Sequence, residues 1–275
     1  MTVRSGPPRC APPGPAGREA PCPHPGGGVT AGARIAAVPD GRGGTALPTL
    51  DGQAPFALRR LGGRGPEARV ALVGAMSAPL GGDRLSLDAE LADGARLCFT
   101  TTAATLALPG RTAAPAHYDT RITVGEGAVL RWLPEPLISA YGSDLRMRTR
   151  IGLAPTARLV YREEQVLGRA GEEPGSLASR LTVRRGGRPL LDQELGYGPR
   201  APGWDGGAVL GGHRAVGQLL LVDPAFAERV PQPPPLGETA VVTRLAGPAL
   251  LVTAVAGDAL RLRSMFDDVR DLTGW

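Results

Sequence analysis

The sequence contains no lysine, few aromatic residues and few cysteines, and these shortages limit the possible partners, the composition of the core and the cellular compartment. All 31 basic residues are arginine, which, beside abundant Ala, Gly and Pro, indicates codon bias rather than selection for arginine chemistry. The arginines are spread along the chain without a basic run among aromatics, so the net charge of +5 does not indicate a nucleic-acid partner. Because aromatics make up only 4% of the chain, Leu, Val and Ala must form most of the core.

The cysteines and the lengths of the apolar runs indicate in which cellular compartment the protein is located. Cys10, Cys22 and Cys98 are odd in number and unevenly spaced, so they do not form a disulfide framework, and this fits a reducing cytoplasm. The N-terminus lacks the apolar core of a signal peptide. The longest apolar run, residues 249–257, is much shorter than the roughly 20 residues that cross a bilayer. We therefore expect a cytoplasmic protein that makes no membrane contact.

The chain divides into two parts by composition. Residues 1–28 are rich in Pro, Gly, Ala and Arg without hydrophobic periodicity, and we expect a disordered tail there. Cys10, Cys22 and His24 could form a metal site in this tail, although incidental side chains are the favoured interpretation. Residues 29–275 are expected to form a single β-rich domain.

Short apolar runs, 40 Gly and 28 Pro predict a mainly β fold with many turns. Residues 85–91 alternate apolar and polar positions, as a half-buried strand does. Three similar turn segments, LADGARL (91–97), VGEGAVL (124–130) and LAPTARL (153–159), each stand between two strand-like runs. We interpret them as three β-hairpins in a layered or coiled, sandwich-like scaffold, with a further hairpin turning at Gly186-Gly187 and a C-terminal α-helix capped by Asp258.

Familiar catalytic motifs are missing: the sequence has no phosphate-binding G-x-x-x-x-G-K-[ST], no G-x-S-x-G and no H-E-x-x-H. His213 lies in a Gly-rich loop and is expected to be an ordinary loop residue. Carboxylates at strand ends could pair for acid–base hydrolysis or hold a divalent cation, although a turn-forming or solvated role is favoured for any one of them. The candidates are Asp83, Glu135, Glu163, Glu164, Asp192 and Glu194.

Four segments in a fixed order resemble the urease accessory protein UreD family, called UreH in some organisms. They are GGDRLSLDAELADGARLCFTTTAAT, VGEGAVLRWLPEPLI, ARLVYREEQVLGR and SRLTVRRGGRPLLDQEL. The resemblance implies a β-rich scaffold, not an enzyme, that binds apo-urease and recruits UreF, which brings the GTPase UreG and its nickel. It implies that Ni(II) passes through an internal channel, with Asp83 and Glu163 matching acidic channel positions and Glu194, or Asp192, matching a third.

Scarcity of His and Cys in the predicted domain agrees with a nickel path. A conduit must release its cargo, and Ni(II) binds imidazole and thiolate more strongly than isolated carboxylates and carbonyls. We therefore expect transient binding of Ni(II) and no permanently bound cofactor.

Residues 106–119 lack the basic-aromatic character that this segment has in many family members. A contact that the segment makes in those proteins is therefore expected to differ in this chain. The alternatives are a carboxylate-dependent glycoside hydrolase using Asp83 and Glu163, and a carbohydrate- or protein-binding β-module.

Overall fold

The computed structural model describes residues 27–63, 65–229, 231 and 236–272. Within these residues, strands alternate with short turns, and a 3-10 turn (Pro224–Ala227) and a C-terminal helix follow late in the chain. The elements are β1 (Thr30–Pro39), β2 (Thr45–Gly52), β3 (Phe56–Leu61), β4 (Ala68–Gly74), β5 (Arg84–Leu91), β6 (Arg96–Thr101), β7 (Thr105–Ala107), β8 (Ala116–Val124), β9 (Val129–Trp132), β10 (Leu137–Ser139), β11 (Asp144–Leu153), β12 (Arg158–Leu167), β13 (Ser176–Arg185), β14 (Arg188–Tyr197), β15 (Ala215–Val222), β16 (Ala240–Arg244), β17 (Ala249–Ala256) and α1 (Ala259–Leu272).

Two stacked sheets contain these strands. The seven-stranded sheet has the order β14-β13-β11-β8-β5-β1-β2. The ten-stranded sheet has the order β16-β17-β15-β12-β9-β6-β4-β3, with β10 and β7 attached beside β12. The central strands of both sheets pair in parallel, because the chain crosses from one sheet to the other and returns one position further along. The prediction of a mainly β, coiled, layered scaffold with a C-terminal helix is confirmed.

The three repeated turns do not close hairpins, and that prediction is wrong. Each connects a strand of the seven-stranded sheet to a strand of the ten-stranded sheet: β5 to β6, β8 to β9, and β11 to β12. The alanine shared by the three segments (Ala95, Ala128 and Ala157) is fully buried, because the chain passes between the sheets at this point. Alternating strands around a tight turn occur in hairpins and in such crossings alike, so the local pattern could not separate them.

Two other local predictions are confirmed. Strands β13 and β14 pair antiparallel across Gly186 and Gly187, whose φ angles of 53° and 76° suit the left-handed positions of a tight hairpin turn. Helix α1 begins after Asp258, whose Oδ1 accepts a hydrogen bond from the Arg261 amide at 2.8 Å. Leu262 and Phe266 are buried against the outer face of the ten-stranded sheet.

Some expectations lie outside the described residues. The predicted tail, residues 1–28, is described only at its last two glycines, so the tail, its two cysteines and His24 stay predictions. In the described part of the chain, no helix combines the length and apolar character needed to cross a membrane.

Candidate functional site

Asp83 lies in the turn before β5 and is 2% exposed. Its Oδ1 accepts a hydrogen bond from the Val29 amide at 2.8 Å, and its Oδ2 accepts one from the Leu80 amide, also at 2.8 Å. Its backbone carbonyl accepts from the His117 amide at the start of β8. The side chain therefore ties the first strand of the domain to this turn. A role in binding nickel stays a prediction.

A belt of polar side chains crosses the interior between the sheets. On β15, Leu220 belongs to one hydrophobic cluster and Val216 to another, and Gln218 lies between them. On β13, Ser179 likewise lies between Leu181 of the first cluster and Leu177 of the second. We call this belt the polar layer. Its members are Thr149, Tyr161, Glu163, Gln165, Ser179, Gln193 and Gln218.

Contacts within the polar layer link the two sheets. The Ser179 hydroxyl of the seven-stranded sheet donates to Glu163 Oε1 of the ten-stranded sheet. Gln218 Nε2 donates to Gln193 Oε1 at 2.9 Å, again from one sheet to the other. The space that remains among these side chains is about 10 Å3, roughly what one water molecule needs. The layer is thus compact and lined with oxygen and amide groups.

Glu163 is the carboxylate of the polar layer, and it is partly buried. Besides the Ser179 hydroxyl, it accepts from Gln165 Nε2 at 2.5 Å and from the Tyr161 hydroxyl at 3.0 Å. These donors are all neutral. Its negative charge is therefore solvated by dipoles and is not cancelled by a cation among the described residues.

Two buried phenols stand beside Glu163. Burial, and secondly the charge of Glu163, raise the pKa of Tyr161 and that of Tyr197 above the ordinary tyrosine value. Both phenols consequently remain protonated near neutral pH, and the Tyr161 hydroxyl can act as a hydrogen-bond donor to the carboxylate.

Glu164, the next residue, faces the opposite side of β12. Glu163 and Glu164 were expected at a strand end, but they lie within β12, which continues to Leu167. The Glu164 side chain is fully buried beneath α1 and accepts from Arg263 Nε at 3.0 Å. Arg162 Nε lies 3.3 Å from its Oε2, and Arg263 also contacts Glu135 at 3.1 Å. This cluster attaches the helix to the sheet.

Glu194 and Asp192 lie on the solvent face of β14. Arg180 contacts Asp192 at 2.9 Å and Glu194 at 4.0 Å. Alternation along the strand places the intervening Gln193 in the polar layer instead. Among the described residues, no hydrogen bond or ion pair connects Glu194 with the polar layer, and its place on a nickel path stays a prediction.

Sequence reasoning missed the neutral members of the polar layer. Gln165, Ser179 and Gln218 are each at most 5% exposed. The available signal was a neutral polar residue at an inward position of an otherwise apolar strand, most visibly Gln218 in QLLLV. That signal is weak, because only the stacking of the sheets reveals that these positions coincide.

The described residues contain no group of three or more His, Cys, Asp and Glu side chains arranged to hold a metal ion. His213 Nδ1 lies 2.7 Å from the Leu210 carbonyl oxygen in the Gly-rich loop. Asp83 and Glu163, the pair considered for hydrolysis, share no contact and no pocket in the described part of the chain. Among the described residues, this pair is therefore not seen to converge as the two carboxylates of a glycosidase do.

Fold and site together define a coiled two-sheet β protein with a carboxylate held in a polar layer between its sheets. The chain belongs to the UreD family, because the protein-family model described as UreD urease accessory protein matches residues 29–274. It is 63% identical over 246 residues to urease accessory protein UreD 3 of Streptomyces griseus subsp. griseus, covering 87% of this chain and 95% of that protein. It is 59% identical over 248 residues to urease accessory protein UreD of Streptomyces avermitilis, covering 90% and 98%.

Proposed function

We propose that this chain acts in urease maturation as a cytoplasmic scaffold that binds apo-urease and recruits UreG through UreF. It carries Ni(II) toward the urease active site and breaks no covalent bond itself. The observation that carries the proposal is the polar layer, with Glu163 at its centre, between two apolar clusters. An apolar interior would exclude a divalent cation, because desolvating a charge without compensation is very unfavourable.

The donor types of the polar layer suit a cargo that must move on. Ni(II) in transit would meet the carboxylate of Glu163, the amide oxygens of Gln165, Gln193 and Gln218, and the hydroxyl of Ser179. Oxygen donors bind Ni(II) more weakly than imidazole or thiolate, so they favour release over storage. Asp83 and Glu194 remain predicted additional ligands of this path.

The test is nickel loading of urease. The chain is co-expressed with the urease subunits, UreF and UreG, and urease-bound nickel and urease activity are measured with wild type and with Glu163→Ala. We expect nickel content to fall several-fold while UreF still co-purifies with the variant. Glu90→Ala, which removes an exposed carboxylate of β5, is the matched control and should load normally.

Asp83 is tested separately, because its side chain also holds backbone amides. Asp83→Asn retains one oxygen acceptor, and Asp83→Ala with Glu163→Ala removes both predicted ligands. Full nickel loading of urease by the double variant would contradict the path. Normal thermal unfolding of each purified variant would show that a loss of loading is not a loss of folding.

A further inference from the structure

The solvent face of the seven-stranded sheet gathers basic side chains that are distant in sequence. Parallel pairing places Arg84 of β5 directly beside His117 of β8, and His117 beside Arg146 of β11. Arg148 follows two residues along β11 on the same face, and its side chain is exposed like those of Arg84 and Arg146. We call Arg84, His117, Arg146 and Arg148 the basic patch.

The nearest carboxylates on this face are engaged by arginines outside the basic patch. Asp119 lies 4.0 Å from Arg150, and Asp144 lies 2.9 Å from Arg200. In the part of the chain that the structure describes, the three arginines of the patch form no ion pair. Elsewhere on the sheet face, Arg121 is paired with Asp88 and Arg180 with Asp192.

Arg148 also lies directly beside Arg180 of β13, and like charges at directly paired positions oppose each other. Asp119, which is paired with Arg148 from the other side, offsets part of this repulsion. The pKa of His117 is lowered first by partial burial and then by the charge of Arg84, whereas Asp119 opposes this effect and Arg146 and Arg148 add smaller contributions to it. The positive field is therefore concentrated at this place. A complementary anionic surface would relieve the repulsion.

We propose that the basic patch docks a carboxylate-rich segment of a partner protein. Adjacent strands are about 4.8 Å apart and alternate residues about 7 Å apart, so the patch covers roughly 10 by 7 Å. That footprint suits two or three carboxylates. Asp119 lies directly beside Arg148 at the edge of the patch, so the positive area stays small compared with the continuous phosphate backbone of a nucleic acid.

The inference rests on the scaffold role proposed above for its biological meaning, so its test uses neither urease nor nickel. Binding of a fluorescein-labelled hexaglutamate peptide is measured by anisotropy at low salt. The variant carries Arg84→Ser, Arg146→Ser and Arg148→Ser. The matched control carries Arg34→Ser, Arg121→Ser and Arg184→Ser, which removes the same charge from exposed positions of the same sheet face that are not paired with the patch.

We expect the peptide to bind wild type, with affinity falling at least about tenfold in the patch variant and about twofold or less in the control. Added salt should weaken binding to wild type. Equal weakening in both triple variants would overturn the proposal, because net charge alone would then explain binding. So would absence of peptide binding at low salt, or tighter binding of a labelled single-stranded DNA through the same arginines.

Discussion

Glu163 and Glu164 are consecutive carboxylates on β12, yet they occupy two different environments. Glu163 points between the sheets into the polar layer, where every donor that it meets is neutral. Glu164 points beneath α1, where the guanidinium groups of Arg162 and Arg263 surround it. The same side chain is thus an uncompensated charge on one face and part of an ion-pair cluster on the other.

Electrostatics of the cluster around Glu164 reinforce the contrast. The hydrogen bonds that Arg263 donates to Glu164 raise the pKa of Arg263, whereas burial lowers the pKa of Arg162, with Glu164 opposing that effect. Both guanidiniums stay charged near neutral pH, so the carboxylate is needed to balance them. A carboxylate that balances buried cations supports the fold, whereas Glu163 has no counter-ion among the described residues.

Removing the charge of Glu164 should have the largest effect on stability. Glu164→Gln leaves Arg162 beneath the helix without its anionic partner, and we expect a loss of about 3 kcal/mol in the free energy of unfolding. Denaturant unfolding of wild type and variant measures this loss. Glu90→Gln removes an exposed charge and should change stability by less than about 0.5 kcal/mol. Equal stability of Glu164→Gln and wild type would contradict the conclusion that Glu164, unlike Glu163, supports the fold through its ion pairs.

The second-largest loss of stability is expected at alkaline pH, where the buried tyrosines beside Glu163 ionise. In the folded protein, the pKa values of Tyr161 and Tyr197 are raised above their unfolded values. The stability that they contribute is therefore complete below about pH 10 and is lost as pH rises toward the folded values. Each buried tyrosine should cost about 1.4 kcal/mol per pH unit in this range.

The measurement is the denaturant midpoint between pH 7 and pH 11. It should be insensitive to tyrosine below pH 9 and fall above pH 10, with a shallower fall in Tyr161→Phe. An identical pH profile in this variant and wild type would contradict the contribution of Tyr161.

Glu163→Gln should affect stability less than Glu164→Gln does. The amide oxygen still accepts hydrogen bonds, and the neighbouring hydroxyls can reorient toward the new donor. We expect the free energy of unfolding to change by less than about 1 kcal/mol, measured under the same denaturant conditions as Glu164→Gln. A loss as large as that of Glu164→Gln would mean that both carboxylates serve stability in the same way.

Local patterns predicted much of the secondary structure. Period-2 alternation located β5, Gly186-Gly187 indicated the β13–β14 turn, and Asp258 was predicted to cap the C-terminal helix. The error lay in connectivity, because the turns around Ala95, Ala128 and Ala157 cross between sheets. Hydrogen-bond partners of a strand are chosen by the whole sheet, and the adjacent turn does not reveal them.

The candidate site was predicted in part. Glu163 was singled out through its match to a family motif, but its environment of Gln165, Ser179 and Gln218 was not foreseen. Glu194 was singled out together with Asp192, whereas Gln193 between them is the inward residue. Alternation along a strand places one of two neighbouring side chains inward. Which of the two it is depends on which face of the strand packs against the opposite sheet.

Residue order alone was enough to predict the β character, the turn positions, the terminal helix and the family to which the chain belongs. These features depend on residue periodicity, on glycine at positive φ and on an ordered set of motifs, all of which are local or linear. The folded arrangement was needed to learn that Glu163 meets a polar layer, that Glu164 meets arginines, and that Arg84, His117 and Arg146 lie side by side. Parallel register and sheet stacking bring together residues far apart in the chain, and no local pattern encodes which of them will meet.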